Sequence, residues 1–430
     1  MRIKALVISA SLPPFNDSST LQLVERVHRF PEHGIEAMFI GPDMPNGVET
    51  GLLQRLPGNS RILRTPATTY DRVMAFLSRA RLGRLLAWVY SNVMYRIAVP
   101  DVRAGWDRQA MRLCIQMWSD LRPDVIISHG GSHTAHIAAC KLAQKFSLPW
   151  IADLGDPWSL VDSDLLTFFL KTKRNRRLEI KTILYASGLV FTTETTLKAY
   201  YKWLGDKLPK SIVLPAYGYS PADFPIDTLK RTLQLDNQIV FSYIGTAHRK
   251  NRNLIPLIQA MGSLEQSGRA RHQFVLNIIG PHSYSFEREA KRQGLRCVHF
   301  SERVSYQESV DWINRSHVLV IVGNLSPLQI PAKVYPYLGS GRVILYIGQL
   351  PRHQDPTAHL LEKFPGVIFA QNNCKSIEAS IKEIDERYEN LVQDAIRRLN
   401  LTLLQEYKTD VVSDRFAEFV LEILTNRRMG

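Results

Sequence analysis

The stretch Ile330-Pro331-Ala332-Lys333-Val334-Tyr335-Pro336-Tyr337-Leu338-Gly339-Ser340-Gly341-Arg342-Val343-Ile344-Leu345 decides the fold. It spells a loop, a short helix and a buried strand. Proline opens it, Lys333 stands in the first turn, and Ser340-Gly341 close the helix before the apolar run Val343-Ile344-Leu345-Tyr346-Ile347. A helix N-terminus carries unpaired N–H groups and the positive end of the helix dipole, so it suits a phosphate. A lysine there adds a full charge.

The same alternation extends in both directions. In the second half, apolar runs predict strands over 239–244, 274–279, 298–300 and 317–322. Helical spacing falls between them, over 253–266, 285–293 and 306–314. The first half reads likewise, with strands over 3–8, 37–40, 124–129, 150–153, 188–192 and 212–215. Helices are expected over 20–30 and 132–146, and a long, mostly helical stretch over 70–121. Apolar strands alternating with amphipathic helices predict parallel, doubly wound sheets. At 430 residues the chain exceeds one ordinary core, so two domains are expected. The Pro- and Asp-containing segment 221–237 reads as their linker. A last helix is expected over 410–424, with Val411, Val412, Phe416, Phe419, Val420 and Ile423 at helical spacing.

Composition narrows the class. Apolar residues are 45% and charged residues 22%, as in a globular protein. Arg, Ser or Asn interrupt every apolar stretch before it could span a bilayer. The β-like run Ala5-Leu6-Val7-Ile8 begins too early for a signal peptide. Cys114, Cys140, Cys297 and Cys374 are scattered with no CxxC spacing, so reduced thiols are expected rather than a disulfide frame or zinc site. A cytoplasmic location follows as the expectation.

The charge of +14 favours an anionic partner. Its distribution helps to choose one. Between 72 and 98 lie Arg72, Arg79, Arg81, Arg84 and Arg96 with no acid, interleaved with Phe76, Leu85, Leu86, Trp88, Val89 and Val93. Between 165 and 181, Leu165, Leu166, Phe168 and Phe169 run into Lys171, Lys173, Arg174, Arg176, Arg177 and Lys181. Basic helices with large apolar residues suit the surface of an inner membrane, and peripheral association is expected through both stretches. The competing reading makes the apolar residues core and the arginines a solvated face. The basic residues are interleaved mostly with aliphatic ones and no nucleic-acid module is recognised, so no nucleic acid is expected as partner.

Several strand ends carry polar residues. His129-Gly130-Gly131-Ser132-His133 follows one buried strand and Asp153-Leu154-Gly155-Asp156-Pro157-Trp158 the next. Imidazoles and carboxylates at strand ends can bind sugar hydroxyls, and His133 or Asp156 can handle an acceptor proton. The spacing fits no standard metal motif. Ser18 and Ser19 end the loop after the first strand. In the second half, Tyr243-Ile244-Gly245-Thr246-Ala247-His248-Arg249-Lys250-Asn251-Arg252-Asn253-Leu254 joins a glycine at a strand end to a basic turn.

Taken in order, these segments resemble GT-B glycosyltransferases, in particular the large retaining family four and its branch that builds bacterial surface polysaccharides. The family's donor segment runs roughly Pro-x-Lys-x-x-Glu-Tyr-Leu-x-x-Gly-[Lys/Arg]-Pro-Val-Ile. The chain matches at Pro331, Lys333, Tyr337, Leu338, Gly341 and Arg342. It departs at Pro336, where the family has the glutamate that binds the ribose hydroxyls. No acid lies between Asp311 and Asp355 to replace it, which leaves neutral hydrogen bonds from Asn324, Ser326 or Gln329. The Gly-Gly that ends the family's first loop is Ser18-Ser19 here.

The resemblance implies an α/β GT-B fold, two doubly wound Rossmann-like domains facing across a cleft. Residues 1–220 would bind the acceptor and 238–404 the nucleotide-sugar, with 405–430 a helix packing back on the N-terminal domain. It implies transfer from a nucleotide diphosphate-sugar, a UDP-sugar, to a lipid-linked or polysaccharide acceptor in cell-surface or exopolysaccharide biosynthesis. Retention is implied, with neither metal nor cofactor, the nucleotide-sugar being a substrate. Gly245, Thr246, Arg249, Lys250, Arg252, Val304, Asn324 and Lys333 would hold the donor. His133 and Asp156 would serve the reaction, and Ser18, Ser19, His129, Asp153 and Trp158 would contact acceptor or sugar. Pro336 motivates an alternative, a non-catalytic glycosyltransferase-like subunit that scaffolds or regulates an active partner.

Overall fold

The computed structural model describes residues 2–429 apart from 16, 45–50, 59, 79–82, 161–168, 233–236 and 269, and gives no side-chain placement for 78, 84, 169, 170, 230–232 and 427–429. Arg79, Arg81 and the 165–168 part of the two basic stretches therefore lie outside the described residues. The chain divides into two compact units. One runs to Ala216 and takes back the chain from Asp410; the other spans Tyr217–Thr409.

The first unit is built on seven parallel strands: β1 (Ile3–Ser9), β2 (Ile35–Pro42), β3 (Arg61–Thr65), β4 (Val125–His129), β5 (Trp150–Asp153), β6 (Gly188–Phe191) and β7 (Ser211–Val213). Their order is β3-β2-β1-β4-β5-β6-β7. The central strands are apolar because helices cover both faces: Ala5, Leu6, Val7 and Ile8 are fully buried, as are Val125, Ile126 and Ile127. The order reverses between β1 and β4. Chains leaving these two strands go to opposite faces, which opens a crevice at their C-terminal ends.

The helix Thr409–Met429 closes this unit. Val412, Phe416, Phe419, Val420 and Ile423 join Leu23, Val24 and Phe30 in one apolar cluster, with the rings of Phe30 and Phe416 5.6 Å apart. Gly188 makes room for this helix. A β-carbon there would stand 2.9 Å from the Phe419 ring and 3.1 Å from Ile423.

The second unit carries six parallel strands: β8 (Gln238–Ile244), β9 (Gln273–Ile279), β10 (Val298–Ser301), β11 (Val318–Val322), β12 (Val343–Gly348) and β13 (Val367–Gln371). Their order is β10-β9-β8-β11-β12-β13, so here the reversal lies between β8 and β11. The helix Cys374–Arg398 buries Ile377, Ile381, Ile384 and Leu391 on this sheet. Arg342 and Arg398 are fully buried and bind carbonyls. Arg398 donates to Leu338, Pro365 and Arg342 at 3.0, 2.8 and 2.6 Å, and Arg342 to Asn314, Ser316 and Ser340 at 2.7, 3.4 and 2.9 Å. Together they fix the end of the helix Val334–Gly339.

One sequence expectation changes and two are refined. The segment 221–237 contains the turn Pro221–Asp223 and the helix Ile226–Thr232, with Phe224 and Leu229 buried. Seven helical residues are too few to show a period. The stretch 70–121 resolves into the helices Thr69–Ser78, Gly83–Ile97, Trp106–Gln116 and Trp118–Leu121. On the second of these, Leu85, Leu86, Trp88, Val89, Val93, Tyr95 and Ile97 are exposed, so the competing reading of them as core does not hold.

Candidate functional site

Two clusters form, one at each reversal of strand order. In the second unit, the loop after β8 supplies Gly245, Thr246 and Arg252, and the loop after β11 supplies Asn324 and Lys333. Gly245 has φ +131, and a β-carbon there would stand 3.0 Å from Lys333 Nζ. That backbone and that lysine meet only because the residue is glycine. Lys333 stands at the N-cap of Val334–Gly339, half-buried. Its Nζ donates to Ile244 O at 2.6 Å and lies 3.9 Å from the centre of the Tyr243 ring. Arg252 donates to Thr246 O at 3.4 Å and to Asn324 Oδ1 at 3.1 Å. Asn324 Nδ2 in turn donates to Gln329 O at 3.4 Å.

The electrostatics of this cluster are one-sided. Burial, and then the charge of Arg252, push the Lys333 ammonium well below its ordinary pKa. Burial pushes the Tyr243 phenol up to about 12, against the pull of Arg252. Among the described residues neither Lys333 nor Arg252 has a carboxylate within salt-bridge distance. Two partly buried cations side by side without an acid need an anion to offset their desolvation. Arg249 and Lys250 are exposed on the turn before Arg252. Val304 is half-buried after β10, next to the capping box in which Ser305 and Glu308 start the helix Tyr306–Arg315. Pro336 occupies the third residue of Val334–Gly339.

In the first unit, the predicted residues separate into three groups. His129 and Asp153 are buried at the ends of β4 and β5. His129 Nδ1 lies 2.8 Å from Asp153 Oδ2, and its Nε2 lies 2.9 Å from Ser19 O. Arg26 completes the set, donating to Asp153 at 3.2 Å and to Leu214 O at 3.3 Å. Burial opposes the Asp153 charge, but Arg26 and then His129 outweigh it and hold the carboxyl down at about 2. This trio ties the loop after β1 to the sheet, and neither His129 nor Asp153 reaches the surface.

His133 and Trp158 form the second group, their rings stacked at 4.7 Å. Burial, and then the charge of Lys171, push the His133 imidazole down to about 3, so it is neutral at pH 7 and a weak base. Its Nδ1 and the Trp158 indole N–H are buried without a partner.

Ser18, Ser19 and Asp156 line a cavity of about 270 Å³ at the reversal between β1 and β4. Sequence reasoning missed Gln22, Tyr95, Asp101 and Arg103 in the same lining. Asp101 accepts from Thr134 N at 2.8 Å and so caps the helix after β4, while Arg103 pairs with Asp71 at 3.1 Å. Nothing in the local sequence marks these residues. Asp101 closes a helical stretch and meets Thr134 only through the fold. Among the described residues no three His, Cys, Asp or Glu side chains come together as metal ligands. Likewise, no described helix is long and apolar enough to cross a membrane.

No protein-family model matches the chain, and no curated protein matches it in sequence. Solved structures do match. Sucrose-phosphate synthase from Thermosynechococcus elongatus superposes with a TM-score of 0.68 at 11% identity, over 99% of this chain and 100% of that one. Anabaena HepE, in complex with UDP and glucose, gives 0.65 at 13% identity, over 98% and 100%. The fold is GT-B. A UDP-GlcNAc 2-epimerase from Neisseria meningitidis bound to UDP-GlcNAc is also similar, with a TM-score of 0.55 at 14% identity over 99% and 100%. At such identities the likeness concerns the fold alone. Within this GT-B fold the cation cluster belongs to the second unit and the polar cavity to the first.

Proposed function

We propose that the chain is a glycosyltransferase that moves a sugar from a UDP-sugar to a lipid-linked or polysaccharide acceptor. The observation that carries this reading is the pair Arg252 and Lys333, set beside the bare backbone of Gly245 with no carboxylate among the described residues within salt-bridge distance. A diphosphate supplies the missing anion. As the donor bond breaks, charge builds on the departing diphosphate, and fixed cations there favour the transition state over the ground state. HepE, a neighbour in fold, is in complex with UDP and glucose. In this reading Thr246 and Asn324 hold Arg252 towards the phosphates, Arg249 and Lys250 add charge at the rim, and Val304 lies beside the base. Asn324, Ser326 or Gln329 serves the ribose in place of the glutamate absent at Pro336. The acceptor lies in the cavity of the first unit against Ser18, Ser19 and Asp156. Asp156 takes the acceptor proton, and His133, held neutral, contributes a hydrogen bond. The family resemblance supplies the retaining, metal-independent character.

The exposed apolar face of the helix Gly83–Ile97 supports peripheral membrane association. Arg72 and Arg96 are exposed with it, and Lys173, Arg174, Arg176, Arg177 and Lys181 are exposed on the helix Phe169–Ile183. Apolar and basic residues together suit an anionic leaflet at the cytoplasmic surface. No nucleic-acid partner is proposed.

Calorimetric titration with UDP, GDP and UDP-glucose tests the donor site. Saturable binding of UDP and UDP-glucose, weakened in Arg252→Ala, is expected. Pro336 favours a second reading, a non-catalytic subunit. Absence of binding by any of the three, together with no release of sugar from UDP-glucose, would establish that reading instead.

A further inference from the structure

In the second unit, β12 and β13 are each followed within one residue by a side-chain amide. The two strands pair with Gly348 opposite Gln371, so Gln349 and Asn372 leave the sheet side by side. The Gln349 side chain spans two loops. Its Nε2 donates at 2.5 Å to Asn251 O, in the turn after β8, and at 2.5 Å to Gly323 O, at the end of β11. These carbonyls belong to the residues immediately before Arg252 and Asn324, whose side chains meet at 3.1 Å. Behind it, Asn372 Nδ2 donates to Gln349 Oε1 at 3.3 Å and to Asn253 O at 3.2 Å. The backbone is thus held on both sides of Arg252. Gly323 is itself fixed. Its N–H donates to Ile347 O at 2.9 Å, and a β-carbon there would run into the Tyr346 hydroxyl, which is held by Asp355. The turn after β8, by contrast, exposes Arg249, Lys250 and Asn251. Gln349 ties the exposed turn to the fixed loop.

We propose that Gln349 is a positioning residue of the diphosphate site, fixing the turn that carries Arg252 against the loop that carries Asn324; the proposal rests on the glycosyltransferase reading and deepens it. The bridge requires an amide. Both N–H groups of Gln349 face carbonyls and its oxygen faces an N–H, so a carboxylate would set oxygen against oxygen and an apolar side chain would donate nothing. An arginine on an exposed turn loses freedom when it binds an anion, and a turn already fixed has less to lose. Gln349 therefore acts on the diphosphate through Arg252, and Asn372 acts through Gln349 and Asn253.

The test is calorimetric titration of the whole chain with UDP, comparing the native protein with Gln349→Met, Arg252→Ala and the double variant. Methionine matches the length of glutamine and donates no hydrogen bond. Gln349→Met should weaken UDP binding by about 5- to 30-fold, the scale of one or two lost hydrogen bonds. In the Arg252→Ala background the same change should add less than about 2-fold, because its effect passes through the arginine. The fall of UDP affinity with rising pH should also move upward in Gln349→Met, since the nearby Arg252 charge is one of the two causes that depress Lys333. Asn372→Leu, alone and with Arg252→Ala, repeats the comparison should Gln349→Met fail to fold. Additive losses in the double variant, or a pH fall that does not move, would make Gln349 a merely structural residue and overturn the proposal. Equal UDP affinity in the native chain and Gln349→Met, with Arg252→Ala weaker, would also overturn it and leave the donor site standing. A native chain that binds no UDP would remove the donor site, and this proposal with it.

Discussion

Replacing Lys333 with methionine keeps the volume of the side chain and removes its charge. In the free protein the ammonium is held by Ile244 O at 2.6 Å and by the Tyr243 ring at 3.9 Å. A diphosphate oxygen placed about 3 Å from Nζ attracts it by about 5 kcal/mol at an effective dielectric of 20. Most of that offsets desolvation, and charged hydrogen bonds retain about 1.5–3 kcal/mol net. Lys333→Met should therefore raise the Kd for UDP by roughly 10- to 150-fold. The pH dependence sharpens the test. Burial and Arg252 depress the Lys333 pKa in the free site, and a bound diphosphate raises it. Binding then takes up a proton above the depressed free-site pKa, and affinity falls as pH rises through it. From about pH 7.5 upward the terminal phosphate of UDP stays ionised, so this loss belongs to the lysine. Arg252→Ala should move the loss to higher pH, because one of the two causes of the depression is gone. Calorimetry in buffers of different ionisation enthalpy reads the proton directly. A methionine variant with unchanged Kd and an unchanged pH profile would refute the placement of the diphosphate.

Gly188→Ala puts a β-carbon 2.9 Å from the Phe419 ring, and the overpacking should cost about 1–3 kcal/mol in chemical denaturation. Burial pushes the Glu179 carboxyl up to about 7, although it accepts from Ser159 and Tyr200. The folded protein therefore loses stability as pH rises from the ordinary carboxyl range to about 7. Glu179→Gln should abolish that slope and should gain on the native chain as pH rises, which denaturation between about pH 4.5 and 8 would show. Ser305→Ala breaks the capping box at the helix Tyr306–Arg315, at about 1 kcal/mol by thermal unfolding. Trp88→Glu places a charge on the exposed apolar face and should sharply reduce co-sedimentation with phosphatidylglycerol vesicles; undiminished binding would remove that face from the membrane contact.

The sheets were legible because buried parallel strands have nowhere to put a polar side chain. β11 and β12 read as Val318-Leu319-Val320-Ile321-Val322 and Val343-Ile344-Leu345-Tyr346-Ile347, and both are buried throughout. The edge strand β3 escaped because Arg61 and Arg64 break its apolar run, and an edge position tolerates them. Gly245, Arg252 and Lys333 belong to two motifs distant in the sequence, and the reversal between β8 and β11 brings them together. The first unit was less readable. His129 and Asp153 stand at strand ends where a ligand group would stand, but Arg26, 127 residues from Asp153, fastens them inside. No local spacing announces such a partner, nor the lining residues Tyr95 and Asp101. For Leu85 and Trp88 a helical period gives the apolar face and not what covers it, which left membrane surface and core as rival readings; their exposure decides against core.

The helix Thr409–Met429 has a consequence for how the chain matures during synthesis. The second unit is continuous in sequence, so all of it can leave the ribosome and fold while the slot formed by Leu23, Val24 and Phe30 still lacks its cover. The unit made first is thus completed last. Until residues 410–423 emerge, that apolar slot is open to chaperones or to other nascent chains, and the time spent translating 217–409 sets how long the exposure lasts.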